Sequence, residues 1–189
     1  MKQLNQYIIE KFKLNSNNIK NQYNYHPKDK PDLVKIIMNK LAKDRNANLN
    51  DIDVSKITNM RYLFKELDPH NIDISEWDVS NVTDMGYMFF GCNKFNADIS
   101  NWNVSNVTDM TRMFYYCKKF NCDISNWDVS HVTSISGMFT HCQKFNCDIS
   151  NWDLSLCEHS GIDLFLNCKS LQYKDKITSE WENKYFKVF

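Results

Sequence analysis

Glycine is scarce here, with four residues in 189, and proline scarcer, with three. Phosphate-cradling loops need clustered glycines, and no G-x-G-x-x-G or Walker-type loop occurs; H-E-x-x-H and G-x-S-x-G are missing as well. The motif content therefore supports no enzyme and no cofactor. Long apolar runs are also lacking. No stretch approaches the roughly 20 apolar residues of a membrane span. The opening MKQLNQYIIEKFKLN contains neither the apolar core nor the small-residue cleavage site of a secretory signal. The expected location is cytoplasmic, with no membrane partner.

An excess of either charge is absent too: 23 Lys and Arg balance 23 Asp and Glu. The signs are unevenly spread, since residues 1–49 hold ten basic against four acidic residues and residues 50–171 hold nine against sixteen. Nucleic-acid surfaces need a basic stripe, so the acidic part is not expected to grip one. Asn (24) and Lys (20, against three Arg) are abundant, which fits an AT-rich coding sequence such as that of a host-associated bacterium or a virus.

What is present in quantity is repetition. Phe95–Lys119 and Phe120–Lys144 say the same thing twice, and a third copy opens at Phe145. The period is 25 residues: Trp77, Trp102, Trp127 and Trp152 fall on it, as do Asp73, Asp98, Asp123 and Asp148, and Phe64, Phe89, Phe114 and Phe139. A fixed period of this size marks a stacked array in which each unit covers the next. The pattern predicts an α/β repeat solenoid of about four to five units, one stacked body. Asn106, Val107, Met110, Met113, Phe114 and Cys117 recur at three- and four-residue steps. They predict a short helix with Asn106 as N-cap and Asp109 reaching back to it. Asn81 with Asp84 and Ser155 with Glu158 repeat the pair. Phe120 to Val129, β-branched and aromatic without helical spacing, predicts a short strand, paired in parallel from unit to unit about 4.8 Å apart. The Asn71, Asn96, Asn121 and Asn146 column and its Asp and Ser neighbours are expected to satisfy backbone groups at the bends.

The predicted layout is an α-rich N-terminal cap over residues 1–48, repeats over 49–171 and a C-terminal cap over 172–189. Leu4, Ile8 and Phe12 predict one helix in the first cap, and Pro31 to Lys43 a second, with Pro31 and Asp32 suited to its first turn. Seven cysteines, an odd number, fall mostly on repeat columns (Cys92, Cys117, Cys142; Cys122, Cys147) and form no close C-x-x-C pair. Zinc sites and a disulfide framework are thus disfavoured, and small buried side chains are expected. His141 beside Cys142 forms no catalytic dyad, because adjacent helical residues diverge by about 100°.

The motif FNxDISxWDVSNVTDMxxMF, kept in three units over about residues 50–170, closely resembles the 25-residue repeat of BspA-like leucine-rich-repeat surface proteins, also found as repeat lipoproteins of mycoplasmas. The resemblance implies an irregular leucine-rich-repeat solenoid and adhesive or protein-binding work, with a surface or extracellular location as runner-up. Variable positions between the fixed apolar ones run Arg61, Tyr62, Lys65, Glu66; Gly86, Tyr87, Phe90, Gly91; Thr111, Arg112, Tyr115, Tyr116; Ser136, Gly137, Thr140, His141. They face away from the Met and Phe stripe and are expected outside. Aromatics and arginine dominate interface energetics, so Tyr87, Phe90, Arg112, Tyr115, Tyr116, Thr140 and His141 are the candidate binding residues. A second candidate surface is the expected sheet face bearing Glu76, Asn101, Asn126, Asn151, Asp78, Asn103, Asp128 and Asp153, flat and acidic. The expected function is a non-catalytic protein-binding scaffold, for example a phage, viral or bacterial factor acting on a host protein. Alternatives are an extracellular adhesion protein for matrix protein or glycan, and a minor structural component of a particle.

Overall fold

A computed structural model describes residues 23–65, 67–157 and 163–184. The helix expected from Leu4, Ile8 and Phe12, the pairing of Ser155 with Glu158, and the last apolar residues of the tail lie outside them. Between two terminal helices the chain winds into coils of 25 residues laid on one another in register. Isolated parallel bridges join Asn48 to Asp73, Asn59 to Asp84, Asp84 to Asp109, and Asp109 to Ser134.

This architecture corrects the expected α/β solenoid of short parallel strands and short helices. Among the described residues no strand forms, and the only helices are α1 (Lys30–Lys43) and α2 (Lys174–Lys184), outside the repeats. Each coil is a chain of tight turns. In one coil the N–H groups of Trp102, Val107, Met113, Cys117 and Phe120 donate to the carbonyls three residues earlier, at Ile99, Val104, Met110, Phe114 and Cys117. Both ends of each of these five turns are buried. A three-residue apolar step thus records turn ends, although a helix face shows the same step. Continuation as helix is blocked at Arg112 (φ 49°) and Tyr116 (φ 61°), whose left-handed backbone no α-helix accepts. The predicted N-cap is replaced as well. Asn106 Nδ2 donates to Ser80 O one coil back, and Asp109 Oδ1 accepts from the Thr111 amide in a local turn. In the predicted strand, Trp127 N donates to Ile124 O, which folds the segment into a turn.

The interior is a set of ladders. Trp77 and Trp102 stack with ring centroids 6.4 Å apart, as do Trp127 and Trp152. Phe95, Phe120 and Phe145 step by 6.0 and 6.1 Å. Every buried Trp of the repeats donates its indole N–H to an Ile or Leu carbonyl one coil back: Trp77 to Leu49, Trp102 to Ile74, Trp127 to Ile99 and Trp152 to Ile124. Cysteine does the same with its thiol. Sγ of Cys92, Cys117, Cys142 and Cys168 lies 2.9–3.3 Å from the carbonyls of Phe64, Phe89, Phe114 and Phe139. The thiol is small enough for the interior and still offers a weak donor to a carbonyl the turns leave open. Burial pushes these thiols up, Cys168 to about 12, so they stay protonated at neutral pH.

The polar ladders sit at the bends. Asn96 Oδ1 accepts from Asn121 N and Asn121 Oδ1 from Asn146 N, each at 2.7 Å, so the Asn column does hold the next coil's backbone. Asp73, Asp98, Asp123 and Asp148 accept from the amides of Ser75, Ser100, Ser125 and Ser150. Asp78, Asp128 and Asp153 do likewise with Ser80, Ser130 and Ser155, and the acidic surface they belong to is built of turns, not of a sheet face.

The caps pack directly on this stack. Asp29 caps α1 by accepting from Asp32 N, Pro31 occupies the first turn, and Leu33, Ile37 and Leu41 are buried. At the far end Ile177 and Trp181 of α2 are buried, and the Trp181 ring lies 6.1 Å from Phe165. No helix among the described residues is long and apolar enough to cross a membrane.

The carboxylate ladder fixes an acid response. Side-chain and backbone donors of Ser75, Ser100, Ser125 and Ser130 hold Asp73, Asp98, Asp123 and Asp128 below the ordinary value of 3.8. A folded-state pKa below the unfolded one adds stability that is complete above the unfolded value and is lost as pH falls through the folded one. Thermal midpoints are expected to be flat down to about pH 5 and to fall steadily from about pH 4 to pH 2. A midpoint unchanged at pH 2 contradicts this assignment.

Candidate binding surface

The turns that build each coil also decide what points outward. Two positions per coil take left-handed backbone: Tyr62, Tyr87, Arg112, Gly137 and Asp163 in one column; Gly91, Tyr116, His141 and Asn167 in the other, with φ between 49° and 76°. Glycine fits such positions without cost, whereas other L-residues lose about 1 kcal/mol or more. Gly91 and Gly137 show that the fold accepts glycine in both columns. Tyr62, Tyr87, Arg112, Tyr116 and His141 therefore carry backbone strain that the coil itself does not require.

Their side chains form one continuous ribbon across four coils. Ring centroids step 4.8 Å from Tyr62 to Tyr87, 5.7 Å from Tyr87 to Phe90, 5.0 Å from Phe90 to Tyr115, 4.9 Å from Tyr115 to Tyr116 and 4.0 Å from Tyr116 to His141. Two arginines are woven through it. The Arg61 guanidinium lies 5.2 Å from the Tyr62 ring and 4.9 Å from that of Tyr87. That of Arg112 lies 5.8 Å from Tyr87 and 5.5 Å from Tyr115, and it donates to the Tyr87 hydroxyl at 3.3 Å. Such contacts fix long side chains in place before any partner arrives.

The arginines are held differently. Arg61 Nη1 reaches Asp109 Oδ2 at 2.7 Å and Asp84 Oδ1 at 3.4 Å, tying three coils together. Burial works to raise the Asp109 carboxyl, but donors on Thr111 and Arg61 outweigh it and hold the group below its ordinary range. Gly86 makes room for this strap, since a Cβ there would collide with Arg61 Nη1. Arg112 has no carboxylate partner among the described residues, so its charge stays available above the rings.

Six of the seven predicted residues come together in the ribbon: Tyr87, Phe90, Arg112, Tyr115, Tyr116 and His141. Thr140 does not. It is 2% exposed, and its hydroxyl donates to the Asp163 carbonyl of the next coil, so its expected outward position is corrected to an inward one. Arg61 and Tyr62, with Lys65 Nζ 5.4 Å from the Tyr62 ring, extend the ribbon one coil beyond the predicted patch. Their signal was the period itself, since Tyr62 stands 25 residues before Tyr87. No group of three or more His, Cys, Asp or Glu side chains among the described residues is arranged to hold a metal ion.

Comparison with known families places the repeat. The family described as "Mycoplasma protein of unknown function, DUF285" matches residues 34–152 and 102–187, which together run from within α1 through the coils and α2. The chain belongs to that family. Searches of the curated proteins and of the solved structures gave no match. The DUF285 match runs through the Trp, Phe and Asn ladders that build the stack, and the ribbon rides on the same coils.

Proposed function

We propose that this DUF285 chain is a non-catalytic protein-binding scaffold whose contact face is the ribbon from Tyr62 to His141. The reading rests chiefly on the strained backbone. Tyr87 and Tyr116 occupy left-handed positions that other coils fill with Gly137 and Gly91, so stability alone does not explain these side chains. Tyrosine and arginine are also the residue types that contribute most at protein interfaces. Side chains already locked by stacking lose little further freedom on docking, which lets modest contacts give useful affinity. An affiliation with BspA-like surface repeat proteins belongs to the same proposal; the repeat motif and the family match support it, and under it the partner is a host protein.

The test uses substitutions that separate binding from folding. In Tyr87→Gly/Tyr116→Gly, relief of left-handed strain, about 1 kcal/mol per site, offsets part of the loss of four ring contacts worth about 0.5–1.5 kcal/mol each. The thermal midpoint is expected to fall by no more than several degrees, with the chain still folded. With both proteins as bait in a lysate of host cells, a partner retained by wild type is expected to fall at least tenfold with the variant, as read by quantitative mass spectrometry. Identical capture by both baits contradicts the reading.

A further inference from the structure

At another corner of the stack lies a groove of about 400 Å³ lined by His70, Asn71, Lys94, Asn96, Lys119 and Lys144. Lys94, Lys119 and Lys144 are successive members of one 25-residue column, and all three are exposed. Each directly precedes Phe95, Phe120 or Phe145, whose buried rings step by 6.0 and 6.1 Å, so successive lysines stand on adjacent coils. None of the three has a carboxylate partner among the described residues; Lys94 Nζ lies 3.2 Å from His70 Nε2. Like charges at this spacing repel one another, and a bound anion relieves that repulsion.

A second column adds donors to the same groove. The Asn96 Oδ1 is taken by the Asn121 amide of the next coil, which fixes the side chain and leaves Nδ2, with two N–H donors, unpartnered among the described residues. The groove thus presents ammonium and amide donors in rows and calls for a ligand made of acceptors, with negative charges repeated along its length.

We infer that this groove binds a linear acidic polysaccharide, a narrow chain bearing sulfate or carboxylate groups along its sugars. Single-stranded nucleic acid fits less well. Its binding surfaces combine cations with aromatic platforms for the bases, and no Tyr, Phe or Trp lines this groove. The ribbon plays no part, so this site stands or falls separately from the protein-binding reading.

Isothermal titration of the full chain with a heparin-derived oligosaccharide, its desulfated counterpart and a single-stranded oligonucleotide tests the assignment. The sulfated chain is expected to bind at low salt, at least tenfold more tightly than the other two. Lys94→Gln/Lys119→Gln/Lys144→Gln is expected to keep the wild-type melting temperature and to weaken binding at least tenfold. The slope of log affinity against log salt should shrink by about one for each lysine removed. Tyr87→Gly/Tyr116→Gly should bind the oligosaccharide as wild type does. No binding of the sulfated chain at low salt, unchanged affinity in the triple variant, or tighter binding of the oligonucleotide overturns the inference.

Discussion

Trp127→Ala is expected to cost about 3–5 kcal/mol, the range for removing a large buried aromatic side chain. The ring is 4% exposed, stacks on Trp152 at 6.4 Å and lies 6.4 Å from Phe114. Its indole N–H donates to Ile99 O at 3.2 Å, so the substitution also leaves that buried carbonyl short of a donor. In a stacked array each unit is stabilised chiefly by its neighbours, so a cavity in a middle coil weakens two interfaces together. At about 2–4 °C per kcal/mol for a chain of this size, the melting temperature should drop by roughly 10 °C. A drop of one or two degrees would show that the Trp column is not the core.

The second large effect comes from a pair of residues adjacent in sequence. Phe114 is fully buried, with rings of Phe120 at 3.9 Å, Phe89 at 5.6 Å and Phe139 at 5.9 Å. Tyr115 stacks on Phe90 at 5.0 Å in the outer ribbon. Phe114→Ala is expected to cost about 3–5 kcal/mol, whereas Tyr115→Ala removes a surface stack worth about 0.5–1.5 kcal/mol. Chemical denaturation of the two variants measures the difference. Equal losses would mean that the chain does not partition inside from outside at this point as described.

How much of this was legible in the sequence follows from what a repeat can reveal. Ladders need only identity at a fixed interval, so the register of Trp, Phe, Asn and Asp columns could be read directly, as could the buried character of Cys92, Cys117 and Cys142. The conformation within each unit could not. Met110, Met113, Phe114 and Cys117 have the spacing of a helix face, yet the same steps arise when tight turns place both ends inward. Left-handed positions are normally betrayed by glycine or asparagine. Tyr87, Arg112, Tyr116 and His141 hide them, and Gly91 and Gly137, one in each column, were the signal of where the helix would break. Cysteine ladders were legible as burial but not as donors, because a thiol bonded to a carbonyl one coil away leaves no trace in composition.

The ribbon was legible for the same reason as the core: variable positions at the fixed period must face one another on neighbouring coils. Thr140 departs from its column, whose other members face outward. In the last full coil the chain slips by one residue, Phe139 answering to Phe165 and Cys142 to Cys168, and the Thr140 hydroxyl turns inward to meet Asp163 O.

Coils stacked in 25-residue register carry both the core and the surface, and the indole N–H groups report on that register most directly. Hydrogen exchange followed on the tryptophan side chains by nuclear magnetic resonance should find Trp77, Trp102, Trp127 and Trp152 strongly protected, each through its bond to a carbonyl one coil away. Ring-to-ring contacts should link Trp77 with Trp102 and Trp127 with Trp152. Rapid exchange at all four indoles, with no contact between rings 25 residues apart, would contradict the stack and everything placed upon it.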